Sequence, residues 1–182
     1  GDNNTKNPFF DNLYRDRRDI HHDLNANLYA IVKLPFGFEY QMNFTPRYHW
    51  YEYMNHESAE HPEWAGDGGR SERKNEKTFN WQVDNILRWK KEFGEDHRVE
   101  ATFLQNAEKG QWWKTVAQNK LYSPSDILGF HNIGAGTAPS VSSEDTYKTG
   151  DALMGRLFYS FKDKYMLTAS VRRDGYSAFG SM

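Results

Sequence analysis

The chain has 182 residues, with 23 Lys plus Arg against 25 Asp plus Glu, and its net charge of -2 gives no global field for nucleic acid or an anionic membrane surface. Only 37% of residues are hydrophobic, 16% are aromatic and the mean hydropathy is -0.93, so a large aliphatic core is not expected and the apolar content sits in rings. The absence of cysteine excludes thiol catalysis, cysteine metal sites and a disulfide framework, and no window approaches the ~20 apolar residues of a membrane-crossing helix.

A crossing by strands stays open, because barrel strands alternate and are nearly invisible to hydropathy. The opening GDNNTKNPFF carries neither an initiator Met nor a signal-peptide pattern, and AFGSM ends the chain directly after an apparent strand. An internal fragment of something longer is therefore expected.

The first predicted strand covers residues 22–34, with His22, Leu24, Ala26, Leu28, Ala30, Val32 and Leu34 on one face. Pro35, Phe36 and Gly37 then turn the chain into a second strand, residues 38–53. Here Phe38, Tyr40, Met42, Phe44, Pro46, Tyr48 and Trp50 alternate with Glu39, Gln41, Asn43, Thr45, Arg47 and His49, so one face is dry and the other wet. A period of two over about sixteen residues fits a strand and no helix, and it exceeds the roughly five or six residues of ordinary strands. At ~3.3 Å per residue and a tilt of ~40°, such a strand rises roughly 40 Å, more than the ~25 Å apolar band of an outer-membrane barrel.

A third strand is expected over 77–91, with Phe79, Trp81, Val83, Leu87 and Trp89 dry, and a fourth over 97–108, with Val99, Ala101 and Phe103 dry. A fifth covers 152–161, turns at Lys162, Asp163 and Lys164, and leads into a sixth over 165–173. Tight turns join the first to the second, the third to the fourth and the fifth to the sixth, whereas residues 54–76 and 109–151 form long connections. Short turns at one end and long loops at the other are the habit of outer-membrane barrels. Aromatic residues collect at both strand ends, as expected for two interfacial girdles. The expected fold is all-β: an antiparallel up-and-down meander of about six long strands, part of a transmembrane β-barrel. A soluble β-sandwich also has half-buried strands with one dry face, so a soluble β-rich carbohydrate-binding or adhesive module is the alternative.

The C-terminal third carries more than periodicity. The run GDALMGRLFYSFKDKYMLTASVRRDG, residues 150–175, resembles a barrel hairpin of the SusC/RagA-like TonB-dependent outer-membrane transporters. The matching elements are Gly155 and Arg156 before an aromatic alternation, Tyr159, the Lys162, Asp163, Lys164, Tyr165 turn, Leu167, Thr168 and Ala169, and the Arg172, Arg173, Asp174, Gly175 run. Upstream, SPSDILGFHNIGAGTAPSVSS at 123–143 resembles the extracellular connection before that hairpin, and residues 27–30 an earlier strand. In the family the arginine-aspartate-glycine run leads into a serine-rich segment and a further strand, of which only the beginning is present here. The resemblance implies that residues 1–182 are a fragment of a TonB-dependent transporter barrel domain, without its plug or remaining strands. Large plugged transporters have about 22 strands, so about six make about a quarter of the wall. It further implies a place in the bacterial outer membrane, contact with outer-membrane lipid, uptake of oligosaccharide, peptide or other large nutrients, a SusD-type surface lipoprotein partner, and TonB engaged through parts absent here.

No site for bond chemistry emerges. His21 and His22 are consecutive on a strand and face opposite ways, and neither they nor His56 and His61 make a convergent zinc set. The NIGAGT segment lacks both the P-loop lysine and the dinucleotide glycine spacing, and no carboxylate spacing identifies an acid/base pair. The chain is expected to be no enzyme and to need no cofactor or metal. Aromatic residues outside the regular alternation, Trp64, Trp112, Trp113 and Tyr122, are the candidates for stacking on a sugar or anchoring a partner, with Tyr51 and Tyr53 on the wet side behind them. Packing of the long connections on each other is the competing role for these rings.

Overall fold

The computed structural model describes residues 8–179. A short helix α1 (Pro8–Tyr14), which the sequence reading did not anticipate, leads into seven strands: β1 (Arg15–Asn25), β2 (Leu28–Lys33), β3 (Phe38–Glu57), β4 (Arg70–Phe93), β5 (His97–Lys120), β6 (Ser140–Phe161) and β7 (Tyr165–Phe179). They form one sheet in the order β1-β3-β4-β5-β6-β7, with β2 also on β3. The all-β antiparallel meander expected from the alternation is the fold observed. No helix among the described residues is long and apolar enough to cross a membrane.

The seventh strand comes from a break. Residues 26 and 27 separate β1 from β2 opposite Pro46, which has no N–H to give to the ladder, although its carbonyl still accepts from the Ala26 N–H at 3.1 Å. Beyond the break the register pairs Leu28 with Phe44, Ala30 with Met42 and Val32 with Tyr40, and so keeps the apolar residues of both strands on one face.

The strands also outrun their predicted ends. β4 begins at Arg70 and β5 continues to Lys120, each 24 residues long, and β6 begins at Ser140. Those extensions carry no regular alternation of apolar and polar residues, so the ladder continues where the hydrophobic pattern has already stopped. The second long connection is therefore only residues 121–139, much shorter than the predicted 109–151.

Side-chain pairs confirm the faces across β4 and β5. Asp84 with Asn106 and Glu72 with Gln118 bond on the polar face, at 2.6 and 2.7 Å, in one unbroken register. Among the described residues buried apolar side chains are few: Phe130 and Ala152 are 2% and 3% exposed, while Leu157 and Leu167 on the apolar face expose 51% and 68%. An apolar face this open is what a lipid solvent tolerates and water does not. A polar run upon it satisfies itself: the Tyr40 hydroxyl donates to Asn85 Oδ1 at 2.6 Å, and Asn85 Nδ2 donates to Gln105 Oε1 at 2.7 Å.

The short turns are tight. Phe36 and Gly37 have φ of 62° and 83°, and Trp89 Nε1 donates to the Phe36 carbonyl at 3.0 Å. Lys162 and Asp163 have φ of 52° and 51°, the two left-handed central residues of a type I′ hairpin, whose twist matches that of the strands it joins. The Lys162 N–H also donates to the Asp96 carbonyl at 2.7 Å, which ties the β6–β7 turn to the β4–β5 turn.

By its internal packing the chain divides into two units. One comprises residues 8–23, His49–Lys77 and Trp112–Asp145, and the other Leu24–Tyr48, Thr78–Gln111 and residues 146–179. The first holds both long connections, and the second holds the short turns.

Candidate binding face and its long connections

The first unit is built around the two long connections, which interlock. Leu121 and Tyr122 donate their N–H groups to the Asp67 and Gly68 carbonyls at 3.0 and 2.9 Å, and Lys120 Nζ reaches Asp67 Oδ1 at 2.9 Å. Asn119, 4% exposed, uses its whole amide: Nδ2 donates to the Ile133 and Gly136 carbonyls, and Oδ1 accepts from the Lys120 and Ala138 N–H groups. Asp126 accepts from the Ala59 N–H at 2.8 Å and lies 3.5 Å from His56 Nε2. Burial pushes the Asp126 carboxyl up, but the Ala59 N–H, the Ser58 hydroxyl and His56 outweigh it, and its pKa ends below the ordinary value. A side chain on Gly69, at φ +80°, would begin 2.9 Å from that carboxylate, so the turn both needs and uses a bare Cα.

Two of the predicted ring candidates belong to this interlock. Trp64 stacks flat on His61 at 3.9 Å, with the Arg15 guanidinium 6.0 Å from its ring. Tyr122 bridges to Gly136, meets His56 edge-on at 6.3 Å, and has its hydroxyl pushed upward in pKa by burial. Trp112 and Trp113 are not in a long connection; they lie inside β5, half-buried, and as neighbours on a strand they point to opposite faces. In the register fixed by Asn106 and Gln118, Trp112 falls on the polar face and Trp113 on the other.

Tyr51 and Tyr53 stand on the polar face of β3, in a cluster that sequence reasoning missed. The Tyr51 hydroxyl donates to Asp19 Oδ1 at 2.8 Å, its ring stacks on His21 at 4.5 Å, and Lys74 Nζ lies 4.9 Å from the ring centre. Arg17 and Lys74 lie 5.3 and 5.5 Å from the Tyr53 ring, and His49 contacts Asp23 at 2.7 Å. Burial and the adjacent Asp19 carboxylate hold the Tyr51 hydroxyl protonated, with its pKa pushed up to about 12. The missed residues, Arg17, Asp19, His21 and Asp23, occupy the odd positions of a segment that is charged on both faces, so no apolar stripe marks it as a strand. Among the described residues no group of three His, Asp or Glu could hold a metal ion. What the face offers is hydrogen bonds and ring surfaces.

A long antiparallel meander with one open apolar face, one polar face and tight turns at one end is the wall of an outer-membrane β-barrel protein. No family model matches the chain, but curated relatives do. A TonB-dependent receptor of Formosa agariphila is 29% identical over 119 residues, which is 64% of this chain and 12% of that receptor. A second TonB-dependent receptor of the same organism is 31% identical over 104 residues, 56% of this chain and 10% of its own length. The chain thus spans about a tenth of the length of these relatives. The RagAB peptide transporter superposes with a TM-score of 0.81 at 19% identity, covering 96% of this chain and 19% of that one. The RagAB peptide importer in its open-open state gives 0.76 at 18% identity, over 93% and 19%. The chain is thus a stretch of outer-membrane β-barrel wall similar to TonB-dependent receptors and, in fold, to the RagAB transporter, in line with what the hairpin at 150–175 implied. The curated relatives are receptors, and the structure that shares the fold is a peptide transporter.

Proposed function

We infer that the chain forms part of the barrel wall of a TonB-dependent importer, through which oligosaccharides, peptides or other large nutrients pass. The reading rests chiefly on one observation: the register that puts Leu28, Ala30 and Val32 opposite Phe44, Met42 and Tyr40 gives the second unit a continuous apolar face. The bilayer-crossing stretches are those of the second unit, and the long connections of the first meet the outside. There a SusD-type surface lipoprotein closes over the importer, and TonB acts through portions beyond this segment. Tyr51, Tyr53 and Trp112 on the polar face are the rings offered to passing nutrient. Trp64 and Tyr122 shape the outer connections that a partner would touch, and Trp113 belongs to the opposite side.

Lipid contact tests this reading directly. In the intact receptor, a bilayer-confined quencher should reach a fluorescent probe at Met42 and miss one at its wet neighbour Asn43. Asn43 serves as the control because Asn27 falls in the break between β1 and β2. Probes at both positions dark to the quencher, in a correctly assembled receptor, would make the apolar face a protein core and end the importer reading.

A further inference from the structure

On the polar face of the second unit, four strands frame a half-open hollow of about 210 Å³ that the transport reading does not explain. Thr45 and Arg47 of β3, Asn80 and Gln82 of β4, Glu108 of β5 and Lys148 of β6 line it. Its floor exists because β5 has no side chain at Gly110: a Cβ there would begin 2.6 Å from Asn80 Oδ1 and 2.9 Å from Lys148 Cε. Glu108 lies over Gly150 in the same way, with Oε1 2.8 Å from the position a Cβ would take. Two bare positions on neighbouring strands thus let two long charged side chains lie down around a hollow.

The charges in it are uncommitted. Most cations on the polar face are matched within the sheet, as Arg88 is with Glu39 at 3.2 Å and Lys74 with Glu76 at 3.4 Å. Among the described residues Arg47, Lys148 and Glu108 form no ion pair. Lys109 also borders the hollow, but as the strand neighbour of Glu108 it faces the other way, with Nζ 5.8 Å from the Tyr147 ring; on this face two cations and one carboxylate leave one net positive charge, which suits a carboxylate. A planar guanidinium fork matches a planar carboxylate, and the Asn80 and Gln82 amides add neutral donors. Glu108 then accepts from a hydroxyl or N–H beside the bound carboxylate. Ligand pockets for whole small molecules run to ~300–1,000 Å³, so this volume takes one charged unit of a longer chain.

We propose that Arg47, Lys148 and the Gly110 hollow form a carboxylate subsite on the transport path, which grips an acidic unit of the incoming nutrient. This rests on the importer reading and narrows it to carboxylate-bearing cargo, from either a peptide C-terminus or a uronic acid. The test is equilibrium binding to the intact, lipid-embedded receptor, with two probe pairs: a short peptide as free acid and as amide, and a uronate oligosaccharide with its methyl ester. The expected result is that one acidic probe binds at least about tenfold tighter than its neutral partner, and the pair showing the difference names the source. Arg47→Ala with Lys148→Ala should abolish that preference while leaving neutral binding as it was. Gly110→Val, which keeps both charges and fills the floor, should abolish it as well. If neither acidic probe is preferred, or if the preference survives in both variants, the subsite is overturned. The Met42 quencher experiment on the same preparation keeps the two readings apart: lipid contact without carboxylate preference removes the subsite and leaves the importer standing.

Discussion

Asp126 carries more of the outer connections than its single charge suggests. It accepts the Ala59 N–H, faces His56, and occupies the space that Gly69 leaves open. Asp126→Ala would orphan a half-buried N–H, a loss worth about 1–3 kcal/mol. The expected outcome is faster hydrogen exchange at Ala59 and faster proteolytic nicking within residues 121–139, with the short turns unaffected. The pH dependence has a definite sign. Because the folded pKa of Asp126 is depressed, its contribution is fully present above the ordinary carboxylate value of about 4 and is lost as pH falls through the lower folded value. Nicking of that connection should therefore accelerate in acid below about pH 4 in the wild type and respond less in Asp126→Ala. An acid profile identical in both would show that another group holds the interlock.

At the scale of elements, what the sequence revealed depended on solvent contrast. Between Phe38 and Trp50, or Phe79 and Trp89, one face meets an apolar medium and the other a wet one, so alternation marks both the strand and its faces. Between Arg70 and Glu76 both faces are polar, and between Gln111 and Lys120 the apolar residues do not alternate, so a strand held by its ladder leaves no such mark. That is why Trp112 and Trp113 read as loop residues and why the Tyr51 and Tyr53 cluster with Arg17, Asp19 and Lys74 was invisible. The break opposite Pro46 was readable in principle, since proline cannot donate to a ladder, but it required knowing the register with β2. The turns were legible because their backbone demands are local. Gly37 adopts φ +83°, and a Cβ there would collide with the Lys90 carbonyl. Gly37→Ala should cost about 1–3 kcal/mol through that collision together with strain at a positive φ, read as a lowered temperature for loss of the folded, heat-modifiable band on electrophoresis. The same substitution at Gly94, which has φ +64° but no atom within 4 Å, should cost less. Equal losses at the two sites would make backbone strain alone responsible.

For the whole molecule, the decisive property is that one face has no interior to hide in. Among the described residues the buried apolar side chains are Phe130 and Ala152, so this sheet by itself builds no apolar core. In the proposed importer, lipid supplies what a second sheet would. The sheet also ends at β1 and β2 on one side and at β7 on the other. Strands in a bilayer require closure, because unpaired backbone groups at an edge find no water there. In a complete receptor those edges are expected to be paired, so amides on the outer side of β7 should be as protected from exchange as those facing β6. Unprotected β7 amides in the assembled receptor would place this sheet at an open seam.

The meander has a kinetic meaning as well. Three residues separate β4 from β5 and β6 from β7, whereas nineteen separate β5 from β6. Closing the longer connection costs about 1.6 kcal/mol more in chain entropy, and contacts close in sequence form fastest. The two hairpins are thus the natural first products, each able to zip from its own turn. The Lys162 to Asp96 hydrogen bond between the turns becomes the point from which the second hairpin can register against the first, growing the wall two strands at a time.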